Sequence, residues 1–260
     1  MLPVLSVKTD SNNNQTLSMT YPCGSPLCPL CQFLKIRKEI AKTYRLFEKV
    51  ETDKKLNKCL FYYLTLTMRD CHISQLNDAI NELNHGFNRL RSSDEWKKMV
   101  VGSSKYMHFG INDLDRIQPH LHVIIMVIPS YTGNNTITQD EWGALWKNSL
   151  NEDYTPHAHA KSIGKKGKAS SHDLKGVVAY GVNAVDSKDI EKYPQTYTKL
   201  MSKIHSMRKS SHQGLIYKLR AEVNSDYKKL NFNQVKIKSI SIFKFNGEKY
   251  NQHRIINSDI

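Results

Sequence analysis

Apolar positions recur along this chain with two different periods, and the alternation between them sets out the elements. KCLFYYLTLTM, 58–68, is rich in β-branched and aromatic residues and predicts a strand. ISQLNDAINELNHGFNRLRSSDEWKKM, 73–99, has apolar residues at helical spacing and predicts one long helix. KYMHFGIN, 105–112, predicts a second strand, and the turn-like DLDR joins it to PHLHVIIMVI, 119–128, so the two predict a hairpin. TQDEWGALWKNSLN predicts an amphipathic helix with Thr138 as N-cap and Glu141 three residues on. YTPHAHAKSI, 154–163, predicts a further strand, and the basic loop GKKGKASSHD follows it. LKGVVAYGVNAV predicts a helix centred on Tyr180, although Gly176 and Gly181 weaken it.

Outside this stretch, QFLKIRKEIAKTYRLFEKVE, 32–51, predicts a basic amphipathic helix. RKSSHQGLIYKLRAEV predicts a late helix and VKIKSISIFKFNG an alternating strand. DIEKYPQTY reads as a proline-containing loop. The order strand, helix, hairpin, helix, strand, helix implies an α+β fold: a central antiparallel β-sheet with flanking helices. Four segments are expected: a flexible polar stretch over 1–18, a cysteine loop and basic helix over 19–57, the α+β domain over 58–200, and a helix-and-strand extension over 201–260 packed on that domain. No internal repeat is present.

Charge narrows the partners. The 260 residues carry a formal net charge of +14, which favours polyanions, nucleic acid before an anionic membrane surface. No apolar run approaches the roughly 18 residues that span a bilayer. The start has no basic segment followed by a sustained apolar one, so no secretory signal is expected and the compartment is read as cytoplasmic. The five cysteines, Cys23, Cys28, Cys31, Cys59 and Cys71, are an odd number, which argues against a disulfide scaffold. Three of them form C-x4-C-x2-C in YPCGSPLCPLCQ, a spacing that suits a structural Zn²⁺ knuckle with Cys23, Cys28 and Cys31 as ligands. Cys59, Cys71 and His72 are candidates for the fourth; a loop of ordinary free thiols is the alternative.

IQPHLHVIIMV raises the sharpest chemical question. On a strand, residues i and i+2 share a face, so His120 and His122 point one way and Leu121 and Val123 the other. Paired imidazoles there are either a metal site or a polar pair on a wet sheet face. His108 on the preceding strand is a candidate third ligand, and Tyr180 on the later helix could face the same point. A neutral phenol, with a reference pKa of about 10, is a poor nucleophile. A neighbouring divalent cation polarises a phosphate and favours the phenolate. Attack on a DNA phosphodiester would then yield a phosphotyrosine and a free hydroxyl, conserving the bond for religation. Tyr193 and Tyr197 are rival nucleophiles. His157 and His159 form a second His-x-His without a following apolar run and read as a polar, DNA-facing strand. Trp142 and Trp146, at i and i+4, read as core.

In order along the chain, CGSPLCPLC, FYYLTLTMRD, DRIQPHLHVIIMV, TQDEWGALWKNSL, LKGVVAYGVNAVDSK and HQGLIYKLR resemble the successive motifs of plasmid rolling-circle replication initiators of the HUH endonuclease superfamily. The resemblance implies that 58–200 is a compact α+β nuclease domain that binds Mg²⁺ or Mn²⁺ at the histidine pair and joins the 5′ end of nicked DNA to a tyrosine. By motif position His120 and His122 match the metal pair and Tyr180 the nucleophile. His108 stands where many relatives have an acidic residue. Relatives that terminate by hydrolysis often carry a glutamate one turn before the tyrosine and a lysine three residues after it. Gly176 and Asn183 occupy those places here, and Lys175 and Asp173 fit neither. The resemblance also implies double- and single-stranded origin DNA as substrate, a host helicase and polymerase as partners, and no membrane. A transposase or mobilisation relaxase of the same superfamily, or a non-catalytic zinc-knuckle nucleic-acid-binding protein, are the alternatives.

Overall fold

In the computed structural model the structure describes residues 4–10, 15–21, 29–113, 115–131, 136–165, 167–182, 184–229, 237–245 and 250–257. Two compact units form, one from Met1–Lys35 with Tyr227–Ile260, the other from Ile36–Asp226.

The first unit holds β1 (Val4–Asp10) and β2 (Gln15–Tyr21). They lie in a four-stranded antiparallel sheet with the last two strands of the chain, Ile237–Phe245 and Tyr250–Asn257. Within 1–18, the stretch expected to be flexible, the described residues form strands. Leu17, Met19 and Tyr21 alternate with polar residues, a strand pattern that the surrounding Asn, Ser and Thr obscured. The strand over Ile237–Phe245 pairs with β1 and so belongs to this sheet.

The second unit begins within α1 (Pro29–Thr52) and continues through β3 (Leu60–Thr67), β4 (Cys71–His72), α2 (Leu76–Ser92), α3 (Asp94–Met99), β5 (Val100–Asp113), β6 (Arg116–Val127), α4 (Gln139–Leu150), β7 (Ala158–Ser162), α5 (Ser171–Val182), α6 (Ser187–Lys192), α7 (Pro194–Ile204), β8 (Ser210–Gln213) and α8 (Gly214–Lys229). The late strands of the first unit are β9 (Ile237–Phe245) and β10 (Tyr250–Asn257). The central sheet runs β7-β3-β6-β5-β8, with β4 also paired to β6, and every pairing is antiparallel. This is the expected α+β class.

Alternation divides the sheet into two faces. Leu121, Val123, Ile125 and Val127 of β6 join Leu60, Leu64 and Leu66 of β3 and Met107, Phe109 and Ile111 of β5 in one core. That core is closed by Leu83, Phe87 and Leu90 of α2 and by Trp142 and Trp146 of α4. Both tryptophans are thus core residues, and Trp146 Nε1 donates to Thr67 O at 2.7 Å. The other face carries His120 and His122 and is partly covered by α1, where Phe47 meets Phe61 edge-on at 5.3 Å, and by α5.

Local chemistry explains where the elements end. Thr138 and Glu141 complete a reciprocal capping box on α4, as their spacing predicts. The single long helix expected over 73–99 is broken at Ser93, which is extended and accepts from Trp96 N to start α3. DIEKYPQTY is helical rather than a loop: Asp186 caps α6, and Pro194 opens α7 at a position where its missing N–H costs nothing. The helix expected from 208 begins only at Gly214, because Ser210–Gln213 pair with β5 as an edge strand. Gly214 has φ +59°, and a Cβ there would stand 2.4 Å from Val101 O, so the strand-to-helix corner requires glycine.

Thr138→Ala should lower unfolding free energy by about 1 kcal/mol through loss of the cap. Urea denaturation should show the midpoint shift with an unchanged slope.

Candidate active site

β6 lies between β3 and β5, and its side chains are buried on both faces from Leu121 to Val127. The β5–β6 register sets His108 directly opposite His120 and Tyr106 opposite His122. His108 and His122 are buried and His120 is half-buried. The three rings are 4.7, 5.1 and 4.8 Å apart between centroids, and one ligand atom from each lies within 4.8 Å of the others. They are the one cluster of His, Cys, Asp or Glu with metal-ligand geometry among the described residues.

Hydrogen bonding leaves the right atoms free. His120 Nδ1 is 3.0 Å from Gln118 O, a carbonyl that can only accept, so that nitrogen carries the proton and Nε2 keeps its lone pair. His122 Nδ1 is 3.4 Å from Thr65 Oγ1, while its buried Nε2 has no partner. Both nitrogens of His108 are buried without a partner. Orphaned, buried imidazole nitrogens this close together fit a divalent cation, since unpaired buried polar atoms are otherwise costly.

Burial holds these imidazoles neutral. It is the main cause lowering His108 to about 3, with His120 adding to it and Asp186 opposing. It likewise takes His122 to about 2, helped by His120 and His108. His120 is also lowered by burial, opposed by the Gln118 carbonyl and by Asp189. Neutral imidazole is the form that binds a metal.

Tyr180 comes to this cluster from α5. Leu174 and Val178, one turn apart, are buried and seat the helix, while Tyr180 is 46% exposed. Its ring stacks on His108 at 5.4 Å and lies 5.1 Å from His122. Gly181 permits this approach, since a Cβ there would come within 3.1 Å of the Tyr106 ring. Burial, then Asp186 and Asp189, raise the Tyr180 pKa, so the phenol is protonated in the metal-free protein. Gly176 is exposed and a Cβ would meet nothing within 4 Å, so a longer side chain has room there. Asn183 lies outside the described residues.

The rival tyrosines stand elsewhere. Tyr193 donates from its hydroxyl to Asn112 O at 3.1 Å, and Tyr197 packs against the core. His157 and His159 do not join the cluster; their exposed rings lie parallel, 6.2 Å apart, His159 on β7 and His157 just before it. Cys23 and Cys28 lie outside the described residues. Cys31 lies in the first turn of α1, Cys71 packs against the core, and His72 bonds Ser74 Oγ at 2.8 Å.

Four neighbours of the cluster were missed in the sequence. Tyr63 stacks on His122 at 5.2 Å, and Thr65 stands opposite it. Burial raises the Tyr63 pKa far above the usual phenol range, so it stays protonated and packs against the ring. Asp186 and Asp189 supply the nearest negative charge. Asp189 Oδ2 accepts from Ile111 N at 3.0 Å, which ties α6 to β5 three residues past His108. Only alternation along β3 could have pointed to Tyr63 and Thr65; nothing local marks the aspartates.

A family model described as Replication protein matches residues 14–257. The chain belongs to this family. A Protein rep of Streptococcus pneumoniae serotype 2 is 29% identical over 208 residues, covering 78% of this chain and 64% of that protein. A Protein rep of a Bacillus species is 33% identical over 167 residues, covering 64% of this chain and 53% of its own. One from Bacillus amyloliquefaciens is 28% identical over 193 residues, 73% of this chain and 56% of the relative. The chain thus spans about half to two thirds of the length of these relatives. No solved structure matches it significantly. The Replication protein family agrees with the resemblance carried by the ordered motifs. No helix among the described residues is long and apolar enough to cross a membrane.

In the metal-free protein, His108 and His122 remain unprotonated while the unfolded chain takes up protons near its ordinary histidine pKa. Stability present above about pH 6.5 is therefore lost as pH falls toward 3, by up to about 1.4 kcal/mol per pH unit for each histidine. Denaturation of the chelated protein between pH 7 and 4 should show this slope, and His108→Gln should reduce it.

Proposed function

We propose that this protein initiates rolling-circle replication of a plasmid or similar replicon by nicking origin DNA and joining the new 5′ end to Tyr180. The observation that carries the reading is the placement of the Tyr180 phenol beside three neutral, inward-facing histidines. His108, His120 and His122 would hold a divalent cation through their free ring nitrogens. When bound, that ion supplies positive charge to the scissile phosphate and lowers the pKa of the phenol beside it.

The protein's own residues account for the rest. Tyr180 Oη attacks phosphorus, the Oη–P bond forms and the P–O3′ bond breaks. The phenol proton is balanced by the one taken up on the released 3′-hydroxyl. Burial around His122 and Tyr63 excludes water from one side of the site. The freed 3′ end would serve a host polymerase behind a host helicase. An all-imidazole donor set discriminates against Mg²⁺, which prefers oxygen ligands, so Mn²⁺ suits the site better. Membership of the Replication protein family favours an initiator over a transposase or relaxase. A structural Zn²⁺ at Cys23, Cys28 and Cys31 remains part of the proposal, tested by metal analysis of the purified protein and of Cys28→Ser.

Termination follows from Gly176. With no carboxylate one turn before Tyr180, the adduct should persist and resolve by attack of a DNA 3′-hydroxyl rather than of water.

Tyr180→Phe should abolish covalent adduct formation on a labelled single-stranded origin oligonucleotide, read on denaturing gels. His120→Ala and His122→Ala should each abolish metal-dependent nicking while duplex binding stays nearly intact. A non-catalytic binding protein would be indifferent to all three changes. In the same assay Gly176→Glu, which has room to fit, should release free 5′-phosphate DNA without an acceptor strand. Rapid release by the wild type would show that another group, Asp186 or Asp189 being nearest, already activates water.

A further inference from the structure

Lys105 lies on β5 three residues before His108, on the opposite face of the sheet. It points toward α2, where its ammonium donates to Asn84 Oδ1 at 2.6 Å and lies 5.1 Å from the Phe87 ring centroid. Asn84, Asn88 and Arg91 follow at i, i+4 and i+7 and so form one stripe of that helix. Arg91 extends the stripe, donating from one guanidinium nitrogen to Asn88 Oδ1 at 3.1 Å. On the other side β8 pairs with β5, with Ser211 opposite Lys105. Arg208 precedes that strand and donates from Nε to Ser210 O at 3.0 Å.

Three cations thus stand on neighbouring elements, Arg91 on the helix stripe that Lys105 meets and Arg208 just before the strand paired with β5, and each hydrogen bond they make ends on a neutral oxygen. Among the described residues no carboxylate pairs with any of them. Elsewhere the same unit does pair its cations: Arg69 with Asp153, Arg89 with Glu82, Arg116 with Asp70, Lys199 with Asp115 and Arg220 with Glu39. Burial, and then the charges of Arg91 and Arg208, push the Lys105 ammonium down to about 8. Like charges held together without a counter-ion raise the free energy of the folded state, and such local conflicts concentrate at binding sites. Two guanidinium groups beside an ammonium match the oxygens of a phosphate.

We propose that Arg91, Lys105 and Arg208 form a phosphate-binding site on the face of the sheet opposite the histidine–tyrosine centre, where it holds the backbone of duplex DNA. The phosphate chemistry stands on this cluster alone; DNA as its source rests on the function proposed above. Placing the site on the far face separates grip on the duplex from cleavage of a strand.

The test uses the full chain with Arg91→Ala, Arg208→Ala and the double variant, and two readouts. In the first, binding of an origin-containing duplex is measured across a salt series. Each lost phosphate contact should reduce the slope of log Kobs against log salt by about 0.9, and the double variant by about twice that. In the second, inorganic phosphate is titrated in thermal unfolding without metal. It should raise the wild-type Tm through mass action and raise that of the double variant less. The double variant without phosphate should melt at or above the wild-type temperature, since repulsion is removed. A lower Tm with an unchanged salt slope would assign the arginines a structural role and overturn the proposal. Loss of phosphate protection with an unchanged slope would overturn DNA as the occupant. A reduced slope in a protein that forms no tyrosine adduct would support this site while sinking the nuclease reading.

Discussion

His108 stands opposite His120 because β5 and β6 pair without interruption from Gly102 to Ile111, and both irregularities of register fall at the strand ends. Each imidazole is fixed by a ladder that cannot shift by one residue without exchanging faces. The same ladder puts Leu121, Val123, Met107 and Phe109 into the core, so the hydrophobic effect that drives the sheet together also sets the histidine geometry. Burial then does a second thing: it removes water from the His108 ring nitrogens and from His122 Nε2, which have no partner, and keeps the imidazoles neutral.

Electrostatics around the cluster is graded rather than uniformly positive, despite the net charge of +14. Asp189 of α6 and its N-cap Asp186 act on the cluster, raising the tyrosine pKa and opposing the drop in two of the histidine values. In the metal-free protein the phenol is protonated and the imidazoles are neutral, so the centre carries little charge of its own beyond these carboxylates. The unbalanced cations lie on the reverse of β5. One strand thus separates a ligand-poor neutral centre from a cationic surface by nothing more than its pleat.

What the sequence disclosed follows the range of the interactions involved. The β5–β6 hairpin, the α4 capping box and the α5 helix beneath Tyr180 rest on neighbours within a few residues, and each was legible. So was the shared face of His120 and His122, with His108 following from the hairpin. Ser93 was not, because helical spacing continues across it while its side chain caps a new helix. α6 and α7 were read as a loop because Pro194 signals a break as readily as a first turn. β1 and β2 were hidden in a polar composition, and the pairing of β1 with β9 joins residues more than two hundred positions apart, for which no local pattern exists. Tyr63 and Thr65 reach His122 through strand register across 57 or more residues, so only the assembled sheet reveals them.

The hairpin turn has a consequence for how such a protein can change over time. Asp115 sits at φ +58° between two strands whose order is fixed by the pairing of His108 with His120. Substitutions on the outer positions of β5 and β6 leave that pairing in place. Inserting or deleting one residue within either strand between the turn and the histidines would send a histidine into the hydrophobic core and a leucine or phenylalanine onto the polar face. This segment is consequently free to diverge in composition but locked in length, and lineages of such chains should differ in length at the loops before α4 and after β7 instead.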